Sequence, residues 1–155
     1  MAELKRVLDI KVFKTIVDST PLISIDLLIS NNNKILLGKR KNNPAKGYYF
    51  SIGGRIYKNE TIEQAIERIS MAELRIKMNG KSEFIGVFEH FYENSCFDNI
   101  STHYVNLAYK CRVENVKDMP NEQHSEYLWF GVEELLNSKQ VHPYVKDYFN
   151  KTYEK

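Results

Sequence analysis

With 155 residues and a net charge of +2, the chain is long enough to bury a real core, and one domain over 1–155 is expected. Its 22 basic and 20 acidic residues nearly cancel, which argues against a dedicated nucleic-acid or membrane-surface binder. No apolar run reaches the roughly 18 residues of a membrane span, and the N-terminus lacks an apolar signal core, so a soluble, cytoplasmic protein is expected.

From Glu3 to Asp18 the apolar residues Leu4, Val7, Leu8, Val12, Ile16 and Val17 recur in an irregular helical pattern, with Phe13 beside them. This predicts one or two short helices ending before Ser19-Thr20-Pro21, since proline disfavours helix at the residue before it. On pattern alone Phe13 is a core residue. Leu22 to Ile29 reads as a strand buried on both faces. Asp26 interrupts it, sharing a face with Ser24 and Leu28. A carboxylate there needs a partner, and either an ion pair with an arginine or a substrate would serve. Asn31-Asn32-Asn33 signals a hairpin turn, and Lys34 to Arg40 returns as the next strand. Arg40 is either a solvated strand end or a guanidinium fork for phosphate oxygens. Tyr48 to Ser51 leads into Gly53-Gly54, where a bare main chain can approach a ligand and a carbonyl can reach a cation.

Thr61 with Gln64 suits a capping box, and Ile62, Ile66 and Ile69 then recur at helical spacing. These three fall within roughly 60° on the helix surface, and Glu73 returns to within about 20° of Ile62. A carboxylate facing inward with isoleucines must be paired, hydrogen-bonded or metal-bound. The alternative is a helix frayed by Glu73, with the carboxylate in solvent. Arg68 lies off the stripe.

Asn79-Gly80 is a turn signal. Phe84 to Tyr92 reads as a strand with His90 in phase with Phe88 and Tyr92; a lone histidine among aromatics is more often structural than catalytic. Glu93 to Ser101 is a polar loop, expected to be mobile and to border a site. His103 to Arg112 alternates as a strand, with Tyr104, Asn106, Ala108 and Lys110 on one face. Cys96 and Cys111 have neither CxxC spacing nor a disulfide framework, so two thiols are expected. Pro120 to Glu126 reads as a polar loop before the strand Tyr127 to Phe130. Gly131 to Lys155 offers two short amphipathic helices, with His142 as a turn residue before Pro143.

Gly54, Glu60, Arg68 and Glu73 stand at the spacing of the Nudix box, and the chain is identified by them as resembling the Nudix family. In that family a loop–helix–loop holds magnesium or manganese against a diphosphate. This copy departs from the pattern: Ile69 and Ala72 replace two glutamates, Arg75 replaces a glycine, and Ile52 stands where proline is frequent. The same departure marks the GDP-mannose mannosyl hydrolase branch. Ser19-Thr20-Pro21-Leu22, Leu36-Leu37-Gly38-Lys39-Arg40, Met71-Ala72-Glu73-Leu74, His90-Phe91-Tyr92, Thr102-His103-Tyr104-Val105 and Glu122-Gln123-His124 also resemble that branch.

The resemblance implies an α/β fold of the α+β type, a mixed sheet sandwiched between helices. It implies hydrolysis of GDP-mannose, or GDP-glucose, by water attack at the anomeric carbon with inversion. One Mg2+ per subunit, with Mn2+ as the alternative, would be held by the Gly53 carbonyl, Glu73 and Gln123. His124 would be the general base and Arg40 would ease departure of GDP. Substrate contacts would come from Leu8, Phe13, Asp26, Arg40, Arg55, Arg68, His90 and Tyr104. A homodimer is implied, with the N-terminal segment at the interface. Two other functions stay open: a pyrophosphatase cutting at phosphorus, and a silent module binding a nucleotide or a protein.

Overall fold

β1 (Leu22–Asn31) touches more of the sheet than any short-range pattern foretells, and its burial explains why. The structure, a computed structural model, describes residues 8–114 and 124–150, with 124 and 125 through their backbone alone. Along one side β1 pairs in parallel with β6 (Thr102–Arg112), from Leu22↔Tyr104 to Ser30↔Arg112. Its other side is shared. β2 (Lys34–Arg40) meets it at the hairpin end, and β4 (Ile52–Arg55) pairs with Ser24 to Leu27. β3 (Tyr49–Phe50) and β7 (His124–Gly131) flank β2, while β5 (Ser82–Tyr92) pairs with β6. The sheet is mixed, as expected, and among the described residues it has seven strands.

Side-chain alternation along β1 splits the core in two. Ile25, Leu27 and Ile29 pack under α2 (Ile62–Leu74) with Ile66, Ile69 and Leu74. Leu28 faces the other way and packs with Phe88, Ala108 and Tyr148. Beneath β2 and β7 lies a further cluster, in which Leu37 and Phe130 meet Leu135 of α3 (Val132–Asn137) and Val145 of α4 (Pro143–Asp147). At the chain start α1 (Ile10–Ser19) is capped by Asp9, whose side chain accepts from Lys11 N–H, and buries only Val17.

The capping box of α2 is present, with Thr61 Oγ1 accepting from Gln64 N–H at 3.1 Å and Gln64 Oε1 from Thr61 N–H at 2.9 Å. Ile66, Ile69 and Glu73 are buried as the stripe predicts; Ile62, at the first helical position, stays 41% exposed. The helix ends at Arg75 in the left-handed region, φ 57°, its N–H donating to Met71 O. A side chain there costs energy that glycine avoids. Arg75→Gly is expected to raise stability by about 0.5 kcal/mol, the relief being partly offset by the freer unfolded chain; a urea midpoint reads it directly.

One loop expectation needs correction. The strand before Trp129 begins at His124, so His124 to Glu126 are not loop; β2 extends far enough to pair Arg40 with His124 across a register shift. The loop between β5 and β6 has Ser95 and Ile100 buried, with Thr102 Oγ1 donating to Asn94 O at 2.7 Å.

Candidate functional site

One side of the sheet carries the even-numbered positions of three strands: Ser24 and Asp26 on β1, His90 and Tyr92 on β5, and Thr102, Tyr104 and Asn106 on β6. Register sets them together, His90 opposite Tyr104 and Ser24 opposite Asn106. Over this face opens a cleft of about 370 Å³, walled further by Arg40, Gly53, Arg55 and Phe13.

Asp26 lies at the centre of the polar part. It is buried, and its Oδ2 accepts from Asn106 Nδ2 at 3.0 Å and from the Tyr148 hydroxyl. Ser24 Oγ donates to Asn106 Oδ1 at 3.1 Å, completing a chain across β1 and β6. The Ser51 hydroxyl is buried nearby, outside hydrogen-bond geometry. Burial pushes the Asp26 carboxyl up from 3.8 to about 6, against the hydrogen bonds of Tyr148 and Asn106 and the charge of Arg40, which pull it down. At neutral pH it is ionised. Directly opposite, Gly53 has no room for a side chain: a Cβ would lie 2.3 Å from Ile25 O and 2.5 Å from Asp26 Oδ1.

His90 is buried with its ring stacked on Tyr144, centroids 4.3 Å apart and planes 7° from parallel. Burial, then the nearby His142, lowers its pKa to about 4. His142 is likewise lowered to about 4 by burial. It is more than a turn residue, because its Nδ1 caps α4 by accepting from Tyr144 N–H at 3.1 Å. Between about pH 6 and about 4, unfolding therefore takes up a proton at each histidine and releases one from Asp26. With a net uptake of one, these groups lower stability on acidification by about 1 kcal/mol per pH unit, discounted for partial exposure. His142→Asn keeps a capping oxygen and is expected to flatten that fall, measured as urea midpoints from pH 6.5 to 4.5.

Arg55 stands over the Phe13 ring at 5.1 Å and over Tyr57 at 5.0 Å, and Phe13 meets Phe97 at 5.8 Å. This end of the cleft joins one cation, Arg55, to one aromatic ring, Phe13, chemistry suited to a planar base beside phosphate. Arg68 is not a cleft wall. Its Nε and Nη2 grip Glu60 at 2.7 and 3.0 Å, Nη2 also donates to Arg55 O at 2.7 Å, and the guanidinium lies 3.7 Å over Tyr57. It holds the end of β4, where Arg55 stands, against the turn that carries Glu60. Arg40 is placed by its N–H on Tyr48 O at 2.9 Å and by Nε on Pro44 O at 3.4 Å.

Glu73 is buried one turn beyond Ile69, whose side chain closes on Gly54. Tyr127 donates to its Oε2 at 3.5 Å, and burial followed by the Glu73 charge pushes that phenol up to about 12. Leu8 is 37% exposed and outside the cleft wall. His124 opens β7 with its backbone paired to Arg40; Gln123 lies outside the described residues. Cys96 is exposed at the cleft and Cys111 is buried, its thiol pushed up to about 12 by burial.

Among the described residues no three His, Cys, Asp or Glu side chains gather to hold an ion. Gly53 walls the cleft and Glu73 does not, and a lone carboxylate with one main-chain carbonyl would leave most of a hard cation's shell to water and phosphate oxygens.

Gly54 and Arg55, at the start of the loop–helix–loop that ends at Glu73, wall the cleft, while α2 packs on β4 and on the opposite face of β1. A family model for the NUDIX domain matches residues 20–151. The chain belongs to the Nudix family. It is 35% identical over 139 residues to the low-salt glycan biosynthesis protein Agl8 of Haloferax volcanii, covering 89% of this chain and 86% of that one. Over 68 residues it is 41% identical to an ADP-ribose pyrophosphatase of Methanocaldococcus jannaschii, 44% of this chain and 40% of that protein. The solved MutT protein of Methanosarcina mazei Go1 superposes with a TM-score of 0.71 at 21% identity, covering 88% and 95% of the two chains. The NUDIX domain of Shewanella oneidensis NrtR, solved with ADP ribose, gives 0.64 at 17%, covering 92% and 91%. This Nudix chain has the family's mixed sheet, and Nudix hydrolases generally use divalent cations such as Mg2+. No helix among the described residues is long and apolar enough to cross a membrane.

Sequence reasoning missed three members of the polar chain. Asn106 was on the face of Tyr104 and Ser24 on the face of Asp26, so strand parity held a signal for both. Tyr148 had none, being an ordinary apolar position of a C-terminal helix.

Proposed function

We propose that the cleft binds a GDP-sugar, with GDP-mannose first and GDP-glucose second, and hydrolyses it to GDP and the free sugar. The observation that carries this reading is the sharing of one cleft by two cations, Arg40 and Arg55, and a buried hydroxyl-binding wall of Asp26 and His90. Similarity to a glycan biosynthesis protein supports a sugar nucleotide. Water attacks the anomeric carbon from the face opposite the diphosphate and inverts it. The carbon–oxygen bond to GDP breaks, its electron pair leaves with the phosphate, and His124 takes the water proton.

Arg40 and Arg55 neutralise charge that grows on the leaving diphosphate. Tyr104 stays protonated, because burial raises its pKa, and donates to a phosphate oxygen. Asp26 accepts from sugar hydroxyls. Phe13 in the cleft wall and Leu8 from outside it hold the base, and Arg68 acts through Arg55. One Mg2+ or Mn2+ held by Glu73, the Gly53 carbonyl and Gln123 would add positive charge at the diphosphate. With Ile69 and Ala72 in place of carboxylates, α2 offers little to hold a nucleophile at phosphorus, which favours attack at carbon. A single domain over 1–155, a homodimer joined through the N-terminal segment and a cytoplasmic location belong to the same reading.

The partial similarity to an ADP-ribose pyrophosphatase favours a second reading, cleavage at phosphorus to GMP and a sugar phosphate. Incubation with GDP-mannose and magnesium in ¹⁸O-labelled water separates them. Label in mannose supports attack at carbon; label in phosphate overturns it; GDP binding without turnover leaves a silent module.

A further inference from the structure

We propose that Tyr148, the residue that ends α4, is the positioning residue of the cleft: its hydroxyl joins Asp26 on β1 to His90 on β5 and sets how each meets a bound sugar, an inference that rests on the reading of the cleft given above. Tyr148 is buried and comes from 122 residues beyond Asp26, the largest separation in the polar chain. Phe88 meets its ring edge-on, centroids 4.7 Å apart, so the phenol has one direction.

Donor and acceptor counting decides the rest. An ionised Asp26 only accepts, so the single Tyr148 proton goes to Oδ2. The same requirement orients the Asn106 amide: Nδ2 faces Asp26 and Tyr148, while Oδ1 takes the Ser24 hydroxyl proton. The Tyr148 oxygen has then spent its proton and can only accept. Asn106 Nδ2 fills one lone pair, and His90 Nε2 stands 3.4 Å away before the other. Two lone pairs would face each other unless Nε2 carries hydrogen. A neutral imidazole carries one, so Nδ1 is the acceptor. The hydroxyl thus turns a carboxylate on one strand into a chosen tautomer on another.

A merely structural tyrosine would show no such selectivity. ¹⁵N-histidine-labelled wild-type protein at pH 7.5, with His90→Gln to assign the signal, is expected to show His90 neutral with hydrogen on Nε2. Tyr148→Phe keeps the ring in its packing and is expected to give a mixture of tautomers. Its kcat/KM for GDP-mannose should fall about tenfold, the loss of one hydrogen bond to a charged group. Its Kd for GDP, which has no sugar, should stay within about twofold. Hydrogen on Nδ1 in the wild type overturns the inference, as does an unchanged kcat/KM or an equal loss of GDP affinity. If the wild type binds GDP but does not turn over GDP-mannose, the reading of the cleft fails, and the wild-type tautomer alone decides the role of Tyr148. That last measurement also stands if the variant does not fold.

Discussion

His124→Gln is expected to slow turnover of GDP-mannose by about 10²–10⁴-fold while GDP affinity stays within about twofold. The size follows from the chemistry. Water is a poor nucleophile until a base takes its proton, and an ordinary imidazole, with a pKa near 6.5, is mostly neutral and able to accept one at pH 7. Glutamine has a similar length and can hold a water, but it cannot accept the proton. Position supports the choice, since His124 begins β7 with its backbone paired to Arg40, on the strand that delivers a cleft cation. The variant should also lose the acid limb that a titrating imidazole gives the rate. Steady-state kinetics beside calorimetric binding of GDP test both parts, and a near-normal kcat would place the base elsewhere.

Gly53→Ala is expected to cost about 3 kcal/mol of stability, the upper end for an overpacked site. The added carbon would lie 2.3 Å from the carbonyl oxygen of Ile25, a backbone atom that no rotamer change can move, and 2.5 Å from Asp26 Oδ1. Relief requires β4 to part from β1, breaking the ladder that runs from Ser24↔Arg55 to Leu27↔Ile52. It would also swing the Asp26 carboxylate away from Asn106 and Tyr148. Gly54→Ala is the internal control. Its added carbon meets only the Ile69 side chain at 3.3 Å, which can give way, so the cost there should stay below about 1 kcal/mol. Urea unfolding of the pair reads the difference, and equal midpoints would show that β4 yields more easily than this packing implies.

Much of this chain was legible from local pattern. The capping box, the inward arc of Ile66, Ile69 and Glu73, and the two-faced burial of β1 are all short-range consequences of helix and strand period. Box spacing likewise led to the Nudix family, because one loop and one helix contain the whole signature. Arg68 was a harder case. The family resemblance put it among the substrate contacts, whereas the fold closes its fork on Glu60, eight residues earlier. Either use satisfies a guanidinium, and sequence alone does not rank them.

Sequence by itself determined which faces of the helices and strands turn inward, because periodicity records burial one element at a time. Only the tertiary structure decided what those inward faces touch. Asp26, Asn106 and Tyr148 meet across separations of 80 and 122 residues, and His90 reaches Tyr148 across 58. Strand register and the docking of α4 set those meetings, and neither leaves a repeat in the sequence. A buried carboxylate announces that it needs partners; which partners arrive depends on how the sheet pairs.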